Sequence, residues 1–187
     1  MKTEKFNFQN NRGETLSGRL ELPDHPTAFA IFAHCFTCSK NVKAASRISR
    51  ALAERGIAVL RFDFTGLGNS EGDFSSTNYS SNLSDIESAA NALADQFQAP
   101  SLLIGHSLGG TACLAAAVHL ESVNAVCTIG SPAQPEHVTK LLGDNLAAIE
   151  NDGAVEVRLG GRSFKIQKQF VDNVRNASLE ENMASLG

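Results

Sequence analysis

The sequence predicts an α/β fold: a mostly parallel sheet, an antiparallel hairpin at its N-terminal end, and helices on both faces. Three observations carry this. "TAFAIFAH", "IAVLRFDF", "PSLLIGHS" and "VNAVCTIGSP" are short, continuous apolar runs, as in strands buried on both faces. Segments with apolar residues at helical spacing lie between them. Strands that alternate with helices in one sheet are joined by right-handed crossovers, which makes them parallel.

The elements follow in order. "EKFNF" alternates apolar and polar residues, "NNRGE" reads as a turn, and "TLSGRLELP" alternates again through Leu16, Leu20 and Leu22. These make a hairpin. After "TAFAIFAH", the stretch "SKNVKAASRISRALAERG" repeats Val42, Ala45, Ile48 and Leu52 at helical spacing, and Gly56 is its stop. "IAVLRFDF" follows, then "TGLGNSEGDFSSTNYSSN", a Gly/Ser/Asn loop. Asn82 or Ser84 is the expected cap of "LSDIESAANALADQF", whose stripe is Leu83, Ile86, Ala90, Leu93 and Phe97. "PSLLIGHS", a small-residue helix "LGGTACLAAAVHL" and "VNAVCTIGSP" complete the alternation.

The pattern breaks near Pro132. "PEHVTKLLGDNLAAIE" reads as helical, "AVEVRLGGRSFKI" as a hairpin around Gly160 and Gly161, and "QKQFVDNVRNASLEENMASLG" as a helix or frayed end. The expected organisation is one domain over residues 1–187, incomplete because it lacks its last strands. Residues 133–187 form a cap-like helical and hairpin insertion within it.

Composition narrows the function. The chain has 187 residues, of which 42% are hydrophobic and 19% charged, with a formal net charge of -4. That suits one globular core and offers no basic surface for nucleic acid. No apolar run is long enough to cross a bilayer, and "MKTEKFNFQN" has no apolar leader segment. Four cysteines in a chain this long do not resemble a secreted disulfide framework. The expectation is a cytoplasmic protein with reduced thiols, needing no cofactor or metal.

The strongest motif is "IGHSLGG", Gly105-His106-Ser107-Leu108-Gly109-Gly110 after Ile104. It fits G-x-S-x-G and lies between a strand and a helix. A serine held on so sharp a turn needs small residues on either side to let the backbones pass. The helix that follows aims its N-terminus at the serine, which favours negative charge developing there.

With that motif the chain resembles the α/β-hydrolase family. "FAHCF" stands where the family has His-Gly-x, "RFDFTGLGNSEG" resembles its Asp-x-x-G-x-G-x-S loop, and "IGSP" ends the strand after the elbow helix. More narrowly, "FAHCFTCSKN", "RFDFTGLGNSEGDF" and "GRSFKIQKQFVDNV" resemble the hydrolase half of bacterial α/β-hydrolase/OsmC-like fusion proteins. The resemblance implies that Ser107 is an acyl-accepting nucleophile. The backbone N–H groups of Leu108 and Phe36 would be the oxyanion donors. Gly105 and Gly109 would support the elbow, His34 would brace the oxyanion loop, and Asp63 would tie down the "TGLGNS" turn with Ser70 and Glu71. His106 would only pack or face solvent. The implied substrate is a small acyl ester or thioester, and the implied partners are a C-terminal OsmC-like domain or a second copy.

The acid and base are missing. The family places them after the serine, acid first. The only later histidines are His119, about three helical turns along, and His137, which precedes Asp144, Asp152 and Asp172. The expectation is a truncated chain, nearly inactive by itself.

Rival readings come from Cys35-Phe36-Thr37-Cys38. C-x-x-C behind a strand and before a helix is the setting of a redox thiol pair. As half of a zinc site it would need two further ligands. Cys113 and Cys127 stand singly in a helix and a strand and read as buried small hydrophobes. A non-catalytic module attached to an OsmC-like domain is the third reading.

Overall fold

The computed structural model describes residues 1–179. Its main sheet has six strands: β1 (Lys2–Gln9), β2 (Thr15–Leu22), β3 (Ala28–Ala33), β4 (Ile57–Phe62), β5 (Leu102–His106) and β6 (Ala125–Ile129). Their spatial order is β1-β2-β4-β3-β5-β6. β1 pairs antiparallel with β2, and β2 antiparallel with β4. The pairs β3–β4, β3–β5 and β5–β6 are parallel. The hairpin and the parallel body thus stand as expected.

Side chains of the central strands alternate between two faces. Phe29, Ile31, Ala33, Ala58, Leu60 and Phe62 join the large core, under helices α2 (Tyr79–Gln96) and α3 (Leu108–Ala117). Ala30, Phe32, Val59 and Ile104 face the other way and pack on Ala45 of helix α1 (Lys43–Ala53). Both faces are apolar, which is why these strands read as unbroken runs.

Two expectations are corrected here. Helix α2 starts at Tyr79, ahead of Asn82 and Ser84. Asn78 caps it: its side chain accepts from the Ser81 N–H at 3.0 Å, and its own N–H donates to Ser81 Oγ at 3.0 Å. This reciprocal pair satisfies two free donors of the first turn. Strand β6 is not buried on both faces. It is the edge of the sheet among the described residues, and Cys127 on it is exposed rather than core. Cys113 is buried, as expected.

Beyond Pro132 come a 3₁₀ segment (Pro135–Leu142), helix α4 (Asn145–Asp152), strands β7 (Ala154–Leu159) and β8 (Arg162–Gln167), and helix α5 (Lys168–Asn176). β7 and β8 form a separate antiparallel hairpin turning at Gly160 and Gly161. This segment lies against the loops after β3 and β4. Phe164 meets Phe74 edge-on at 5.1 Å, Phe170 stacks on Phe36 at 4.9 Å, and Arg162 donates to the Thr37 carbonyl. Gln169 and Asn173 bond Asn78 and Ser80 at the start of α2. The expected helix or frayed end is helical over α5, and its part past residue 179 lies outside the described residues.

Candidate active site

Ser107 stands between β5 and α3 with φ 54 and ψ −124. Positive φ in a residue other than glycine is strained. The turn is held by hydrogen bonds from Ser107 N–H to the Ile129 carbonyl at 3.0 Å and from Gly110 N–H to the Ser107 carbonyl at 2.8 Å. The flanking glycines are required by close approach. A Cβ on Gly105 would lie 2.3 Å from the Gly109 carbonyl oxygen, and one on Gly109 would lie 2.4 Å from that of His34. The second contact presses the head of α3 against the loop that follows β3.

That loop, 34–40, is tied down by buried polar groups. His34 is 2% exposed. Its Nδ1 lies 2.8 Å from the Cys35 carbonyl, so Nδ1 carries the proton, and Nε2 accepts from Phe64 N–H at 3.4 Å. Burial pushes its pKa down to about 4, so the ring is neutral at pH 7 with both nitrogens engaged. Asp63 is fully buried. One oxygen accepts from Lys40 N–H at 2.7 Å; the other takes the Lys40 ammonium and Asn69 N–H at 2.9 Å. Ser70 Oγ donates to the Asp63 carbonyl at 2.6 Å, and Glu71 accepts from Thr15 N–H at 2.6 Å. Asp63 is therefore committed to joining the two loops.

Sequence reasoning missed three of these fastenings. Lys40 is the buried partner of Asp63. Arg61 pairs with buried Glu21 and donates to the Lys40 carbonyl at 2.7 Å. Asp85 of α2 accepts from Thr65 N–H at 2.9 Å and Thr65 Oγ at 3.0 Å. Glu21, Arg61 and Asp85 carried a sequence signal, a charged residue at a buried position of a strand or helix; Lys40, in a loop, carried none.

Two adjoining cavities meet at Leu108. A narrow one, about 10 Å³, is bounded by His34, Cys35, Phe36, Thr37, Leu108 and Gly109, among others. An open one of about 510 Å³ is lined by Ser107, Leu108, Pro132, His137, Val138 and Leu141, among others. Neither the Phe36 nor the Leu108 N–H donates to another group among the described residues. Ser107, Leu108 and the Phe36 loop are thus neighbours, and His137 shares the cavity with Ser107. His106 ends β5 half-buried. His119 lies beyond the far end of α3.

Carboxylates do not complete a relay. Glu136 pairs with Arg175 at 3.4 Å, and Asp172 with Lys168 at 2.5 Å. Among the described residues no hydrogen bond links Ser107 Oγ to an imidazole, or an imidazole to a carboxylate. No group of three or more His, Cys, Asp or Glu is placed to hold a metal among them. None of their helices is long and apolar enough to cross a membrane.

The expectation of reduced thiols is corrected at Cys35 and Cys38, which are joined in a disulfide. The two Cα atoms stand 5.3 Å apart, within bridging range, because Cys38 N–H donates to the Cys35 carbonyl across a tight turn. Cross-linked sulfurs are not available to zinc.

Comparisons with known proteins agree with this architecture. The family model described as "Alpha/beta hydrolase family" matches residues 30–181. The esterase domain of a Rhodothermus marinus protein is 46% identical; the match covers 97% of this chain and 71% of that one, with a TM-score of 0.72. The mouse alpha/beta hydrolase domain-containing protein 10 is 25% identical over 92% of this chain and 69% of its own, with a TM-score of 0.72. Rat palmitoyl-protein thioesterase ABHD10, mitochondrial, is 30% identical over 125 residues, 67% of this chain and 35% of its own length. The chain spans about a third of the length of the curated relatives it matches. With the strand order, the turn at Ser107 and the family match together, the chain belongs to the alpha/beta hydrolase family.

Proposed function

We propose that the protein hydrolyses carboxylic esters or thioesters, with Ser107 as nucleophile. The observation that carries this reading is Ser107 at positive φ on the strand-to-helix turn, beside two uncommitted backbone N–H groups. Ser107 Oγ attacks the acyl carbon. The carbonyl oxygen becomes an oxyanion, received by the N–H groups of Leu108 and Phe36 at the N-terminus of α3. The alcohol or thiol leaves, and water then releases the acid from the acyl-enzyme. His34 and Asp63 are positioning residues in this reading: their bonds fix the loop that carries the Phe36 N–H.

The acyl part fits the open cavity, where Leu108, Pro132, Val138 and Leu141 supply apolar surface. Residues 133–179 act as the cap that shapes it. The thioester alternative draws support from the name of the rat relative, a palmitoyl-protein thioesterase. A base for Ser107 is not assigned among the described residues. Without one, an oxyanion hole and binding alone leave about 10³–10⁴-fold over water, so these 187 residues tested alone turn over slowly. The test is hydrolysis of a series of p-nitrophenyl esters and acyl thioesters by the whole protein, with Ser107→Ala as control. Activity that survives the substitution contradicts the reading.

A further inference from the structure

The C-x-x-C pair is a reactive group that acyl transfer does not use. Its bridge closes a ring of very few residues, since the sequence separation is 3. So short a ring removes little freedom from the unfolded chain compared with a long one. The Cys38 N–H to Cys35 carbonyl bond, 3.1 Å, already closes the turn without it. Stabilising the fold is therefore a weak reason for the bridge.

Its position offers a better one. Both cysteines are half-buried rather than enclosed, and Cys35 lines the narrow cavity, so a small thiol has a route to the bridge. Between them Thr37 is held at φ 60. That conformation suits Gly or Asn and is strained for a β-branched residue. Three contacts hold it: the bridge and the Cys38 N–H to Cys35 carbonyl bond across the turn, and Arg162 from the cap-side hairpin on the Thr37 carbonyl. The Arg162 cation beside the pair also favours a thiolate once the bridge opens. When it opens, the only covalent one of these contacts is lost, and the strain at Thr37 then favours negative φ against two hydrogen bonds, which turns the peptide next to Phe36 part of the time.

We propose that Cys35 and Cys38 are a thiol–disulfide exchange site that takes dithiols as reaction partners. Its oxidised form fixes the Phe36–Thr37 turn beside Ser107. This control of hydrolysis rests on the reading of Ser107 as nucleophile; the exchange site does not. In the exchange, a dithiol's thiolate attacks one bridge sulfur. The Cys35–Cys38 bond breaks, a mixed disulfide forms, and the departing cysteine sulfur takes a proton. The reagent's second thiolate then attacks its own sulfur in the mixed disulfide. It closes as a cyclic disulfide and frees the second cysteine thiol. Two electrons and two protons pass to the protein, and a disulfide oxidant reverses the sequence.

The test equilibrates the folded chain with mixtures of reduced and oxidised dithiothreitol. Samples are then trapped with N-ethylmaleimide and mapped by peptide mass. The expected result is that Cys35 and Cys38 gain label together, reversibly, without denaturant. Cys113, whose thiol burial raises to about 12, stays unlabelled until the chain unfolds. A bridge that survives excess dithiothreitol until urea is added overturns the exchange site, as does a pair that never oxidises. For the control of hydrolysis, the rate of fluorophosphonate labelling at Ser107 is compared in the two states of the whole protein. Loss of one oxyanion donor is worth about 10²–10³ in turnover, so a turn displaced part of the time predicts labelling about tenfold slower after reduction. In Cys35→Ser/Cys38→Ser the rate should ignore the redox poise. Equal rates in both states overturn the control. Absence of labelling in both states overturns the role of Ser107 and leaves the exchange site standing.

Discussion

Lowering the pH from 7 to 5 is expected to weaken this fold through His34 in particular. The ring is buried against Phe64 at 4.9 Å between centroids, with both nitrogens engaged. In the unfolded chain a histidine takes up a proton near pH 6.5; in the folded protein burial delays this to about 4. Between those values the unfolded state holds more protons, so stability falls as pH falls. There is no cost above about pH 6.5, and the loss runs at about 1.4 kcal/mol per pH unit down to about pH 4. At pH 5 it amounts to about 2 kcal/mol, or about 1 M in the urea midpoint for a slope near 2 kcal/mol/M. Burial raises the carboxyl of Asp85 instead, which works in the opposite direction, so the wild type alone does not isolate the histidine. His34→Gln does, because its amide keeps a donor for the Cys35 carbonyl and does not titrate. Urea unfolding of both proteins at pH 7 and 5 should show the variant losing about 2 kcal/mol less than the wild type. Equal losses would refute the assignment of a neutral, buried His34.

Other expectations concern packing and charge. Gly109→Ala puts a methyl 2.4 and 2.6 Å from the carbonyl oxygens of His34 and Ala33; it should cost about 1–3 kcal/mol by chemical denaturation and abolish Ser107 labelling. Phe170→Ala removes a buried ring stacked on Phe36 and should cost about 3–5 kcal/mol, with faster proteolysis of residues 133–179. Lys40→Met strands the Asp63 carboxylate in the core and should cost about 3–5 kcal/mol. The double variant with Asp63→Leu should recover part of that in a thermal melt, and no recovery would mean that the pair is not the cause.

The sheet was legible because its central strands are apolar on both faces, and "IGHSLGG" located the turn because only glycine admits its backbone contacts. The start of α2 was not, because Asn78 and Ser81 cap it through side chains that resemble loop residues. The exposure of β6 was not either: an apolar run reports that a strand suits a sheet, not that a neighbour lies on both sides of it. The buried partnerships Lys40–Asp63, Arg61–Glu21 and Thr65–Asp85 join residues 20 to 40 positions apart in sequence. Such pairings are decided by the sheet order, which no local pattern carries. The C-x-x-C spacing allowed a bridge and a metal site alike. The turn geometry at Thr37, invisible in the spacing, brings the two sulfurs together.

The most direct measurement is fluorophosphonate labelling of the whole protein, with the modified residue located by peptide mass. The account predicts one label, on Ser107, absent from a folded Ser107→Ala variant. Label on another residue, or undiminished label in the variant, would contradict it.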